Sequence, residues 1–175
     1  FHIERLMLNA LAGNDSVNWQ LTWNDQDVVD HNKGNITGSL SFGGFPRLMA
    51  SIQTAGILIN DSSWAIQQGN SVLIDSGYIA LNNLKFSNNQ QSLSINGAIS
   101  HDPLDKLSLD LQNFDLSALD ILTKEIGIDF DGLANGDVSL SEVYNIPKAI
   151  MQLQIKNFGF NHEQLGDFEA FSAWN

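Results

Sequence analysis

A chain of 175 residues is long enough to bury a core and falls within the size of one domain. Eight Lys and Arg against 20 Asp and Glu give a net charge of −12, which argues against a nucleic-acid footprint or a patch for anionic membranes, since both need clustered cations. Zero Cys excludes disulfides, thiol catalysis and Cys-type zinc sites, and no apolar run approaches membrane-spanning length.

The sequence opens at Phe1 without an initiator Met, a basic leader or a cleavage pattern, so residues 1–175 read as a single segment cut from a longer protein. Strands then follow one another, each marked by period-two alternation and bounded by Gly, Asn, Asp and Ser. "VNWQLTW" puts Val17, Trp19, Leu21 and Trp23 on one face, and "NITGSLSF" does the same with Ile36, Leu40 and Phe42, Gly38 being in phase. Next come Leu93, Ile95 and Ile99 in "SLSINGAIS", with Gly97 in phase, and Leu107, Leu109 and Leu111 in "KLSLDLQ".

One stretch leaves this period. "DLSALDILTKEIG" spaces Leu119, Leu122 and Ile126 as a helix does, which predicts a short amphipathic helix over Ser117 to Ile126. Ser117 is the expected N-cap with Asp120 three residues on, Leu116 is placed to staple against Ile121, and Gly127 stands where a left-handed C-cap is wanted. Such a helix would lie over an edge or end of the sheet.

"DFDGLANGDVSL" has two readings. Asp129, Asp131, Asn135 and Asp137 are possible calcium ligands, but Gly132 directly after Asp131 breaks the EF-hand spacing, and Phe130 and Leu133 are apolar where that loop is polar. The favoured reading is a Gly turn at Asp131 and Gly132 feeding a strand from Ala134 that carries Val138 and Leu140, with the acids in water. "AIMQLQIK" then alternates Met151, Leu153 and Ile155. Ser, Asn, Gln, Thr and Asp fill the intervening positions throughout, so each strand has one greasy face and one wet face, as in a sheet covered on one side only.

Chemistry-bearing patterns are sparse. His2, His31, His101 and His162 are scattered with no metal-binding spacing, and no nucleophile elbow, P-loop or dinucleotide glycine motif occurs. Asp129 and Asp131 could pair as a glycosidase does, but no aromatic cleft is written around them. Sequons begin at Asn14, Asn35 and Asn60 in a chain rich in Asn and Ser. Trp19, Trp23, Trp64 and Trp174 suit a sugar platform less well than a core or groove lining, because Trp19 and Trp23 share phase with Val17 and Leu21. "GNITGSLSF" and "GLANGDVSLS" echo one another too loosely for a fixed repeat. No catalytic residue, metal or cofactor is expected.

From about Ser92 to Asn175, "SLSINGAISHDPLDKLSLDLQNFDLSALDIL", "GLANGDVSLS" and "PKAIMQLQIKNFGFNHEQLGDFEAFSAWN" follow in an order that resembles the C-terminal region of TamB, in the AsmA-like group of bacterial envelope proteins. The resemblance implies an all-β fold with one short helix: an elongated, curled sheet forming a U-shaped β-taco trough with an apolar interior. About twelve strands at ~4.8 Å would make a trough roughly 60 Å long. The expected lining is Leu93, Ile95, Ile99, Leu107, Leu109, Leu111, Val138, Leu140, Met151, Leu153 and Ile155.

It also implies a periplasmic region of an inner-membrane-anchored protein, binding phospholipid acyl chains for transport between inner and outer membranes. Two rival expectations stand beside it. One is a translocation and assembly role in outer-membrane protein insertion with TamA, a barrel partner, by β-augmentation; the other is a closed β domain with a structural or glycan-binding role.

Overall fold

The alternating segments form strands of one antiparallel sheet. The structure, a computed structural model, describes residues 5–25, 31–44, 46–59, 61–123 and 126–174. Among these, twelve strands run in chain order: β1 (Arg5–Ala12), β2 (Ser16–Asn24), β3 (Lys33–Phe42), β4 (Leu48–Ile59), β5 (Ser62–Ile66), β6 (Ser71–Asp75), β7 (Tyr78–Ser87), β8 (Ser92–Ile99), β9 (Lys106–Asp115), β10 (Phe130–Ser141), β11 (Lys148–Phe160) and β12 (Glu163–Trp174). Each pairs with its sequence neighbour except around β5 and β6, which share the slot between β4 and β7.

The break between β5 and β6 leaves β4 without a backbone partner at Ile52. Buried Asn70 fills the place: its Oδ1 accepts the Ile52 N–H at 2.8 Å, and its Nδ2 donates to the Ile52 carbonyl at 2.9 Å and to that of Gln67 at 2.6 Å. A side-chain amide here does the work of a missing strand residue, satisfying backbone groups that would be costly to leave unpaired.

Register decides how the faces join. Directly opposed residues lie on the same face, and the pairs can be followed from β1 to β11: Ala12, Val17, Leu40, Ala50, Val72, Leu81, Gly97, Leu107, Leu140, Ala149. No polar side chain interrupts this row. The opposite face carries rows such as Lys85, Ser94, Asp110, Asp137 and Gln152, with cross-strand hydroxyl pairs at Thr37–Thr54 (2.6 Å) and Ser39–Ser51 (3.0 Å).

The sheet curls about its apolar face. Trp64 of β5 and Phe114 of β9, separated in the sheet by β7 and β8, meet edge-to-face with ring centroids 5.9 Å apart. Ile57, Leu116, Ala134 and Ile155 complete a core at this end, and Ala134 is fully buried. The chain nevertheless exposes 10949 Å², against about 8,500 Å² for a compact globule of its 19.3 kDa. Most of the apolar face is therefore only half-buried.

The predicted helix starts differently from what its spacing implied, and residues 124 and 125 of the expected span lie outside the described residues. A 3-10 turn, Leu116–Leu119, leads into a single turn of α-helix, α1 (Asp120–Thr123). The N-cap is Asp115, whose carboxylate accepts the Ser117 N–H at 3.0 Å, so Ser117 lies inside the turn. Asp115 leaves β9 in extended conformation, and its oxygen reaches the free N–H two residues on, as an N-cap does. Leu116, the expected staple residue, is buried in the core itself, and Ile126 is exposed. Gly127 has φ 74°, as a left-handed cap requires, and Ile128 N–H donates to the Thr123 carbonyl at 3.1 Å.

Candidate functional site

The residues singled out by alternation share the apolar face of β8 to β11. One row joins Leu93, Leu111, Gly136 and Leu153; the next joins Ile95, Leu109, Val138 and Met151; a third joins Leu107 and Leu140. Ile99 opposes Ile79 nearer the far rim, and Ile155 opposes Ala134 at the core end. Ile155 is buried, Leu140 is exposed, and the rest are half-buried. The stripe thus grades from a packed end near α1 to an open end at the β10–β11 loop.

On β2 and β3, large and small residues fit together. Trp23 lies over Gly34 and Trp19 over Gly38, where a Cβ would enter the indole rings. Flat rings bridging glycines keep this part of the apolar face continuous. Both tryptophans thus share the apolar face with Val17 and Leu21, and Trp64 is core.

A device that alternation could not show repeats along the second half. β7, β9 and β11 each carry a bulge in which an Asn adopts left-handed φ: Asn83 (51°), Asn113 (45°) and Asn157 (53°). In each case the freed Asn N–H is taken by a side-chain oxygen of the following strand, Asn96 at 2.7 Å, Asn135 at 2.8 Å and Asp167 at 2.9 Å. A glycine of positive φ adjoins each acceptor, at Gly97, Gly136 and Gly166. The extra residue restores phase, so that Phe114 follows Leu111, and Phe158 follows Ile155, on the apolar side. Bulges increase local twist, and three on alternate strands help to coil the sheet. The sequence signal was a double polar step, "LNNL", "LQNF" and "IKNF", facing "NG" or "GD".

Since Asp167 fills this role in β12, Asn135→Asp should change stability by less than about 0.5 kcal/mol. Asn135→Leu, which orphans the Asn113 N–H, should cost about 1 kcal/mol. Urea midpoints of the two variants measure the difference.

"DFDGLANGDVSL" is strand rather than turn. β10 begins at Phe130, and Gly132, at φ 119°, stays within the strand, where it faces the Asn157 bulge of β11 instead of reversing the chain. Phe130 pairs with Phe160, their rings 5.6 Å apart, and that apolar contact extends the strand past the glycine. Asp129 is not simply solvated: its carboxylate meets His162 Nδ1 at 2.9 Å. Asp131 and Asp137 are exposed. Among the described residues no group of three acids or histidines lies close enough to hold a metal.

His31 and His101 occupy the surface. His31 meets Asp61 at 2.8 Å, and His101 stacks on Tyr144 with centroids 4.8 Å apart. His2 and the sequon residue Asn60 lie outside the described residues, whereas Asn14 and Asn35 are exposed. A surface hollow of about 730 Å³ runs along Ser62, Ser63 and the polar turn Asn88 to Gln91, away from all eleven expected lining residues.

Comparison with protein-family models, curated proteins and solved structures returns no match. The two edges of the sheet differ in a way that bears on partners. β1 is exposed along its whole length and is apolar on both faces, with Leu6 and Leu8 on one side and Met7 and Leu11 on the other. β12 carries Glu163, Asp167 and Glu169. Charged residues guard an edge against foreign strands; only β12 has them in number.

Proposed function

We propose that this chain is a section of a TamB-like periplasmic protein, in which the curled sheet forms a U-shaped trough for phospholipid acyl chains passing between inner and outer membranes. The apolar row that crosses the sheet from β1 to β11 without a polar side chain carries this reading. Moving a tail through water costs roughly 0.8 kcal/mol per methylene. A half-buried floor of Leu, Ile and Val would cover the tail while leaving the headgroup in solvent. Similar residues along the row make binding nearly equal at each step, which permits sliding. The reading uses no catalytic residue, metal or cofactor.

The test places a photo-crosslinking residue at Leu109 or Leu153 in the full-length protein in cells, with Ser108 and Gln154 as outward controls. Phospholipid adducts at the inward positions alone are the expected result. Leu109→Asp should lower lipid transfer at least tenfold, because a carboxylate on the floor stops the tail, whereas Ser108→Asp should leave transfer within about twofold. Equal loss from both, at equal folding, would overturn the reading.

The free edges favour a second reading, in which β1 adds a strand of an unfolded barrel protein and the chain works with a TamA-like partner. Adducts to nascent barrel proteins would select it. Absence of adducts at both faces would point to a closed β domain.

A further inference from the structure

The ladder of the sheet has a gap beside β5. That strand pairs with β4 from Ser62 to Ala65, but with β7 only at Ala65–Ser87 and Ile66–Phe86. Past Ser87 the chain turns through Asn88 to Gln91 into β8, so Ser62, Ser63 and Trp64 have no strand on that side. Backbone groups of an antiparallel strand point to alternate sides at successive residues. The Gln67 N–H donates to the Lys85 carbonyl at 2.9 Å, so Ala65 and Ser63, in the same phase, direct their N–H and carbonyl the same way. Ala65 meets Ser87 there. Ser63 finds no backbone partner among the described residues and opens into the polar hollow of about 730 Å³.

The far wall of that hollow is held in shape by its own bonds. Asn88 N–H donates to the Gln91 carbonyl at 3.0 Å, and Asn88 Oδ1 accepts the N–H groups of Gln90 and Gln91 at 3.3 and 3.1 Å. Gln91 Oε1 accepts the Asp115 N–H at 3.2 Å, which ties the turn to β9. The side-chain amides of Asn89 and Gln90 line the hollow with no hydrogen-bond partner among the described residues. Its one charged lining group, Asp61, is met by His31 Nδ1 at 2.8 Å, and no Lys, Arg or aromatic ring lines it. Such walls suit neither an anion nor an acyl chain nor a stacked sugar ring, and they match a neutral ligand rich in both donors and acceptors.

On the apolar face of the same gap lies a second, smaller cavity of about 90 Å³, between Ile59 and Trp64 on one side and Ala118 on the other. Ala118 belongs to the segment joining β9 to β10, which caps the closed end of the curl through Leu116, Ala118 and Leu119. Ser62, Asn88 and Gln91 line both spaces. Side chains of a strand alternate between faces, so a residue paired with Ser63 would keep its side chain outside, near Asn89 and Gln90. The next residue, beside Ser62, would turn its side chain into the inner cavity, which has room for Ala or Val and none for a ring.

We propose that this gap binds a neutral, extended peptide segment of about three residues, which pairs with Ser63 as β7 would if it continued and places a small side chain in the inner cavity. Main-chain bonds to Ser63 supply affinity, and the inner cavity supplies selectivity. None of the eleven expected lining residues takes part, so the site is independent of the trough.

Titration of the full chain with the peptide acetyl-Gly-Ser-Ala-amide, followed by amide nitrogen and proton shifts, tests the site. Amides of Ser62 to Ala65 and Asn88 to Gln91 should move together and saturate with a Kd of about 1 mM, as a short contact implies. Replacing the last residue of the peptide by Trp should weaken binding about tenfold, because the ring overfills the inner cavity. Ser63→Pro removes the donor on the open side and spares the β4 ladder, so it should abolish the shifts while the fold persists. Asn89→Ala, in an exposed turn, should weaken binding about threefold and keeps the test open if the Pro variant fails to fold. No shift at these amides by about 10 mM peptide, equal binding of the Trp peptide, or unchanged binding by both variants overturns the proposal. Equal shifts from maltotriose would also overturn it, by making the hollow a sugar site.

Discussion

Gly136→Ala is expected to destabilise the fold by about 3 kcal/mol, as overpacking and backbone strain act together. Gly136 lies on the apolar stripe between Leu111 and Leu153 at φ 141°, and a Cβ there would enter the Gln152 carbonyl oxygen and come within 2.9 Å of Leu153 Cα. Both obstacles are backbone of β11, which the ladder fixes in place, so no side-chain rotation relieves them. Gly97 is the equivalent site one hairpin earlier, at φ 113°, with its Cβ blocked by the Lys106 carbonyl oxygen. Gly56 is the control: a methyl added there would meet no atom within 4 Å, its φ is not positive, and Gly56→Ala should shift stability by less than about 1 kcal/mol. Urea unfolding of the three variants, with equal slopes, would separate strain at the bulges from a general intolerance of the sheet to Ala.

Phe114→Ala should cost about 3 to 4 kcal/mol, the range for deleting a buried ring that its surroundings cannot refill. Phe114 is 5% exposed and touches a residue three sheet positions away, Trp64. Its loss removes a contact between distant strands as well as local packing. A double-mutant cycle with Trp64→Leu should show a coupling of about 1 kcal/mol, the usual worth of an edge-to-face ring pair beyond buried area. Additive effects in the cycle would mean that the two rings do not meet and that the curl has another cause. The contact also ties the fold to the proposed trough, because it closes one end of the apolar face beside the cap.

Much of the apolar face was legible from period two alone. Leu107, Leu109 and Leu111 must point the same way in any strand, as must Met151, Leu153 and Ile155, since side-chain direction alternates along the backbone whatever the strand pairs with. Where local geometry departs from that period, alternation stops being informative. β7 escaped recognition because Asn82 and Asn83 put two polar residues between Leu81 and Leu84, and β4 because its ladder shifts between Thr37 and Gly38. β1 has no alternation to read, and β5 and β6 are five residues each.

Sequence alone determined the class of fold, the acidic wet face and the inward set from Leu93 to Ile155, because these depend on neighbours along the chain. Tertiary structure decided the rest. Register, which links residues tens of positions apart, joined separate stripes into one row from Ala12 to Ala149. The meeting of Trp64 with Phe114 and the pairing of His162 with Asp129 likewise rest on how distant strands twist together. Twist accumulates over the whole sheet and is redirected at each bulge, so its sum is a property of the folded molecule that no local window contains.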